Sequence, residues 1–378
     1  MSNRRGFFVF FTIFCGFILL SIFIFVVIHY KNPIKVGFCG VLSGIPSELG
    51  ISVRNGLKIA FDNINKHGGI KGRKLELIIK DDENNEDTGL QVVKEFHKEK
   101  VVAILGHITS AATGKSFEYI NKNKILMISP TVSSSLYDDK DDYFIRVVSS
   151  SKVQSEHLAK KMIKDKKERV IVIYDLKNRL YTESTFNNFK FYFENMGGKI
   201  LKLVTFYSGE NNGFYDMIKE LIQYKPDSFL LITNGIDTAN ICQQIRKFDK
   251  SLNIYAAFWA MTEDLLIYGG RAVEDIYIFG ELDINDNSKE YVEFKEQYLD
   301  RYKVIPSFSA IYAYEAANLL FLALKKSKKW DADSLKETIL KIKEFNGLQK
   351  KYIINQYGDT YRDYFLFTVK NGEFIKLE

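Results

Sequence analysis

Short apolar runs alternate with helix-length amphipathic segments along nearly all of the chain beyond residue 33. Ile34–Cys39, Leu75–Lys80, Val101–Leu105, Ile125–Ile128 and Tyr143–Val148 read as strands. Helical periodicity runs over Ile51–Lys66 and Thr88–Glu99, and His67-Gly68-Gly69 stops the first of these with glycine at its C-terminal cap. The alternation then restarts: helix Gln154–Lys164, strand Arg169–Tyr174, helix Thr182–Asn195, strand Lys199–Thr205. Helix Gly213–Gln223, strand Ser228–Thr233, helix Ile236–Phe248 and strand Asn253–Ala257 follow. The remainder is helical over Tyr291–Tyr302, Ala310–Lys326 and Ala332–Lys343, ending in strand-like Lys351–Asn355 and Tyr364–Val369. A β-α-β-α order predicts parallel, doubly wound sheets. Two such units joined near residue 148 predict two lobes with a cleft between them, a preferred place for small molecules.

The stretch Val101 to Ser135 organises the first unit. Its two strands end abruptly in small polar residues: Gly106, Thr109 and Ser110 after the first, Ser129, Thr131 and Ser133 after the second. Open parallel sheets bind ligands beyond the carboxyl ends of their strands, where backbone amides and helix N-termini are free. Hydroxyls on two such neighbouring ends form a small polar cradle suited to a carboxylate. Ser and Thr at these positions also serve as helix caps and turn residues.

Composition narrows the classes. A chain of 378 residues with 46% hydrophobic and 26% charged residues fits two globular α/β lobes rather than one core. Its net charge of +6 is spread over solvated helix faces, which argues against nucleic acid as a partner. Gly6 to Ile28 carries no charge and is long enough for a membrane-spanning helix, with Arg4 and Arg5 ahead of it. It lacks the short core and small-residue cleavage site of a signal peptide, so residues 1–32 read as a cytoplasmic tip and anchor. Cys39 and Cys242 lie in apolar runs and read as buried free thiols. The segment around Gly114-Lys115-Ser116 lacks the spacing of a phosphate loop, and the five histidines form no metal-like pair. His107, at a strand end, reads as a loop histidine with a structural hydrogen bond. Asp81–Asp87 lacks the sixth-position glycine of an EF-hand and reads as an acidic cap before a helix. No nucleophile–base pair is evident, so the pattern argues for binding without turnover and for no cofactor.

Taken together, IKVGFCGVLSG (34–44), NGLKIAFDNINKHGGIKGRKLEL (55–77), DDENNED (81–87), VVAILGHITSAAT (101–113) and ILMISPTVSS (125–134) resemble the leucine/isoleucine/valine-binding family. These are extracytoplasmic solute-binding proteins, the receptors of branched-chain amino-acid ABC importers. RVIVIYD (169–175), GENNGFYDMIKEL (209–221), WAMTEDLL (259–266) and the run Pro306–Tyr314 follow in the same order. The resemblance implies the periplasmic-binding-protein type I fold: two Rossmann-like lobes joined by a three-strand hinge. It implies a first lobe of 33–148 plus about 281–345, and a second of 149–280 plus about 346–378. By the same resemblance Ser110 binds the ligand carboxylate beside Thr109. Thr131 offers a backbone carbonyl to an ammonium, Ser133 stands where a carboxylate-binding threonine is usual, and Tyr181 closes over the ligand from the second lobe.

Two departures bear on the ligand. The family's amino-acid binders carry an acid on a second-lobe loop, and by spacing from Gly270 that position falls in AAFWA, near Ala257–Trp259. Either Glu263 reaches in, or the ligand is not a simple α-amino acid and Phe258 and Trp259 offer it an aromatic face. Leu49 stands where an aromatic often lines the side-chain pocket. The sequence thus implies a membrane-anchored, extracytoplasmic receptor that delivers a small carboxylate-bearing ligand, an amino acid or relative with the branched-chain type favoured, to an ABC importer permease. The alternatives are a sensor of the same fold signalling to a membrane partner, and an enzyme on a doubly wound fold.

Overall fold

The computed structural model describes residues 32–44, 47–210 and 213–377. The proposed anchor, Gly6–Ile28, lies outside them, and no helix among the described residues is long and apolar enough to cross a membrane.

A five-stranded parallel sheet takes up the first α/β run in the order β2-β1-β3-β4-β5. Its strands are β1 (Ile34–Gly40), β2 (Leu75–Asp81), β3 (Ile104–Leu105), β4 (Met127–Ser129) and β5 (Phe144–Arg146). Helices α1 (Ser47–Lys66), α2 (Glu86–Lys98) and α3 (Ser110–Asn123) connect them. β3 covers only the last two residues of its apolar run, and the backbone then leaves the sheet at Gly106. There φ is +137°, and a Cβ would sit 2.2 Å from the Cys39 carbonyl oxygen, so only glycine fits.

The second sheet has seven strands in the order β15-β14-β10-β9-β8-β6-β7. Parallel strands β6 (Arg169–Asp175), β7 (Lys199–Phe206), β8 (Ser228–Ile232), β9 (Asn253–Ala256) and β10 (Tyr277–Gly280) build most of it. β10 has no counterpart in the apolar pattern read above, being only four residues long and following an irregular turn. The connecting helices are α4 (Ser151–Lys164), α5 (Arg179–Asn195), α6 (Phe214–Leu221), α7 (Gly235–Phe248) and the short α8 (Glu263–Gly269). Phe229 to Ile232 of β8 are fully buried, the continuous apolar run expected of a strand covered on both faces. At the sheet's edge, β7 instead carries the exposed lysines Lys199 and Lys202, which discourage further pairing.

The tail supplies α9 (Lys289–Tyr302), α10 (Phe308–Lys326) and α11 (Ala332–Ile342). α10 is apolar almost all round and packs on α1, with Gly56 so close that a Cβ there would lie 2.3 Å from the Ala310 oxygen. Three short strands follow, β11 (Glu344–Asn346), β12 (Lys351–Ile354) and β13 (Thr360–Tyr361), as a small antiparallel sheet. They stay beside the first sheet: the Arg146 amide donates to the Gly358 oxygen, and Leu348 N to Glu315 Oε1 on α10. Only β14 (Phe365–Lys370) and β15 (Glu373–Lys376) join the second sheet, both antiparallel.

The segments that pass between the sheets are tied by buried charge. Arg362, 6% exposed at its side chain, bonds Glu315 through Nη2, donates Nε to the Val147 oxygen at 2.7 Å, and lies 3.9 Å from Glu281. Glu281 also accepts the Ser149 amide at 3.0 Å and the Tyr312 hydroxyl at 2.7 Å. Arg362 lies over the ring of Tyr352 at 4.1 Å. A second arginine, Arg146, holds Asp138 and Asp359 together. Replacing Arg362 with Leu is expected to cost about 3–5 kcal/mol, the range for removing one partner from a buried ion pair. Urea unfolding reads this as a lower midpoint at unchanged slope; a loss below about 1 kcal/mol would show that the glutamates are compensated by other groups.

Candidate functional site

The small polar residues at the ends of β3 and β4 do two different jobs. Thr109 caps α3, accepting the Ala112 amide at 3.3 Å and donating its hydroxyl to Asn84 Oδ1 at 2.6 Å. Ser129 donates to the His107 oxygen at 2.7 Å, and Thr131 Oγ1 to the Ile108 oxygen at 2.6 Å, stitching the two loops together. Ser134 donates to Leu180 O at 2.6 Å. The hydroxyls of Ser110 and Ser133 take no part in these bonds, and both residues line a cavity between the two sheets. Ser110 is the first residue of α3, where the helix dipole favours an anion, although the Ala111 and Ala112 amides are already taken by Asn178 and Thr109.

Beneath this cradle the His107 ring is fully buried and bonded at both nitrogens, Nδ1 to Asp82 at 2.7 Å and Nε2 to Ser116 at 2.9 Å. It serves the structural role expected of it, pinning the loop that carries Ser110 to α3 and to the turn before α2. That turn is capped by Asn85, whose side chain accepts the Asp87 and Thr88 amides. Among the described residues, one cluster has metal-ligand chemistry: Cys39, Asp82 and His107, with ligand atoms within 4.8 Å of one another. Burial, and Asp82 beside it, push the Cys39 thiol well up. With the thiol held protonated and both ring nitrogens bonded, the set fits a hydrogen-bonded core better than a metal. Cys242 is likewise buried and free.

The opposite wall comes from the second sheet. Tyr181, near the start of α5, donates its hydroxyl to Gln154 at 3.3 Å and meets the Trp259 ring edge-on, at 5.8 Å and 89°. Trp259 sits in the turn after β9, within the stretch where the resemblance puts an acid. Its neighbour Phe258 packs on Phe308 of α10 at 4.5 Å between ring centres. Tyr364, just before β14, completes this side, and its hydroxyl is held by Glu281. The cavity so formed has a volume of about 40 Å³, and no carboxylate stands among its lining residues.

Of the residues singled out from sequence, Ser110, Thr131, Ser133, Tyr181 and Trp259 therefore meet around one cavity. Thr109 does not: its hydroxyl is spent on Asn84. Glu263 does not either. It begins α8, is exposed, and faces a separate groove with Met261, Leu266 and Ile305, so it cannot stand in for the missing acid. Gln154, Phe308 and Tyr364 are added by the fold; each lies in an ordinary helix or strand pattern that carries no sign of a pocket. Near the mouth, Glu48 at the start of α1 faces Asp264 and Glu263. Burial, then those two charges, push its carboxyl up to about 7. Asp175, behind Tyr181 at the end of β6, is pushed up to about 6 by burial, and its Oδ2 has no hydrogen-bond partner.

This architecture is shared with solved solute-binding proteins. A leucine binding protein, LivK, from Thermotoga maritima superposes with a TM-score of 0.84 at 24% identity, over 91% of this chain and 98% of that one. An ABC-transporter solute binding protein from R. palustris, in complex with benzoate, gives a TM-score of 0.82 at 18% identity, over 92% and 96%. In sequence, the Leu/Ile/Val-binding protein BraC3 of Rhizobium johnstonii is 28% identical over 144 residues, 38% of this chain. That match spans about two fifths of the relative's length, 39%. The model of the periplasmic binding protein family matches residues 33–373, nearly everything beyond the N-terminal apolar run. The chain belongs to this family of non-enzymatic solute-binding proteins, with the α/β type I fold.

Proposed function

We propose that the chain is an extracytoplasmic receptor that captures a small carboxylate-bearing ligand, an amino acid or a relative of one, for an ABC importer. One observation carries the reading: two uncommitted serine hydroxyls, Ser110 at a helix N-terminus and Ser133 after the neighbouring strand, line a cavity between two sheets. Charge-assisted hydrogen bonds to a desolvated carboxylate are the strong kind. Thr131 contributes its carbonyl side, and Tyr181 and Trp259 cover the ligand from the second lobe. The lobes are residues 33–148 with the α9–α11 region, and 149–280 with the C-terminal strands, exchanging last near Arg362. The uncharged run Gly6–Ile28 is read as an anchor that keeps the receptor beside its permease, raising their effective concentration.

Closing the lobes brings Glu48 against Asp264 and Glu263, like charges with the groove's Lys295 as the basic residue lining the same space. An acid raised from 4.5 to about 7 binds a proton more tightly in this state than in the unfolded chain. The stability it contributes is fully present below pH 4.5 and is lost as pH rises through about 7. Glu48→Gln removes this dependence, so the melting temperature of the variant gains on the wild type as pH rises through that window. A constant difference between the two across the window would refute the coupling.

The cradle has a direct test. Thermal unfolding of the full chain in detergent against a panel of small carboxylates reports the cognate one, which stabilises by about 2.7 kcal/mol at 100 times its Kd. The double variant Ser110→Ala/Ser133→Ala is expected to keep its unliganded melting temperature and lose that response. An undiminished response would remove the cradle from the site.

A further inference from the structure

Resting on this reading of the cavity, we propose that its ligand carries, besides the carboxylate, a quaternary ammonium group rather than a primary one.

The wall opposite the serines determines this. A primary ammonium taken out of water needs its three N–H groups accepted and its charge matched. No carboxylate lines the cavity: the stretch Ala257–Trp259, where the resemblance puts an acid, carries none, and Glu263 faces another groove. Two buried carboxylates stand outside the lining: Glu281 is committed to the Ser149 amide, the Tyr312 hydroxyl and Arg362, and Asp175 accepts the Lys177 and Ser208 amides behind Tyr181. What the wall does offer is four aromatic side chains, Tyr181, Phe258, Trp259 and Tyr364, with Phe308 of α10 packed beside Phe258. A quaternary ammonium has no N–H to satisfy, spreads its charge over methyl groups and is weakly hydrated. Aromatic rings hold such a group through their quadrupoles, tryptophan best.

Geometry separates this ligand from a flat one. A planar aryl carboxylate stacks in a slot between two roughly parallel rings or meets a ring edge-on. Here Tyr181 and Trp259 stand perpendicular, and Phe258 and Phe308 touch each other at 4.5 Å with no slot. Rings meeting at such angles enclose a compact, rounded group.

The experiment is calorimetric titration of the full chain in detergent with five probes. Trimethylglycine and 4-(trimethylammonio)butyrate test the proposed class at two lengths. 3,3-Dimethylbutyrate is the uncharged isostere of trimethylglycine, and L-leucine and benzoate represent a primary amine and a flat acid. At least one trimethylammonium probe is expected to bind, with the uncharged isostere weaker by about tenfold or more, the scale of a desolvated cation–π contact. Trp259→Leu is expected to weaken the cationic probe by a similar factor while leaving the isostere nearly unchanged, which separates charge recognition from loss of shape. No binding by either trimethylammonium probe, equal binding by the isostere, or tighter binding by leucine or benzoate would each overturn the proposal. The site reading fails separately, if the probe that binds is held equally well by the Ser110→Ala/Ser133→Ala variant.

Discussion

Arg362 is the constraint around which the two sheets are arranged. A guanidinium at 6% exposure survives only with its charge matched and its donors accepted, and Glu315, Glu281 and the Val147 carbonyl do both. These partners come from distant parts of the sequence: the end of the first α/β run, the segment after β10, and α10. Satisfying one buried cation therefore fixes the relative path of the segments that pass between the sheets. The same Glu281 holds the Tyr364 hydroxyl, so the floor of the cavity is set by the charge network rather than by local packing. An apolar substitute of equal volume would fill the space, but it would not specify which strands meet there.

Much of the fold was legible because burial imposes a period. Strands covered on both faces, such as β8, must be apolar at every position, and helices on a sheet must be apolar on one stripe. Those signals placed the α/β alternation and α9–α11 within a few residues. They failed where burial has no period. β10 and the small strands β11 and β13 are too short to show one, and the late return to the second sheet depends on Arg362, a residue unremarkable in sequence. The site divided the same way. Ser110 and Ser133 could be placed beside a cavity because clefts open beyond the strand ends of parallel sheets. Thr109, with an identical side chain chemistry one residue earlier, turned out to be a cap, because whether a hydroxyl is spent locally depends on Asn84, far away in sequence. Phe308 and Tyr364 reach the cavity only through tertiary placement.

The two walls divide the work by chemistry. The first sheet supplies hydroxyls and a helix N-terminus, groups that reward negative charge and whose positions are held by the rigid His107–Asp82–Ser116 chain below them. The second supplies rings, whose stabilisation depends on area and on the ring quadrupole rather than on directed bonds. Directional groups on a rigid base select the part of the ligand that every member of a ligand class shares. A wall of rings, tolerant of small shifts, selects what differs. In the proposed receptor, an aromatic residue such as Trp259 in place of an acid would change which cations are accepted while leaving the hydroxyl wall as it is.

The contacts across the cleft bear on how closure is balanced. Ser134 to Leu180, Ser135 to Ser184, Asn188 to Ser135 and the Ala111 amide to Asn178 all join the two sides, at 2.6–3.1 Å. Each of these groups is hydrated when the lobes part, so each bond contributes only about 0.5–1.5 kcal/mol net to closure. Against them stand the like charges of Glu48, Asp264 and Glu263 at the mouth, and the ordering of both walls. In the proposed receptor these bonds and that repulsion act on closure in opposite directions. A ligand touching the serines on one side and the rings on the other adds to the closed arrangement alone, and so shifts the balance towards it.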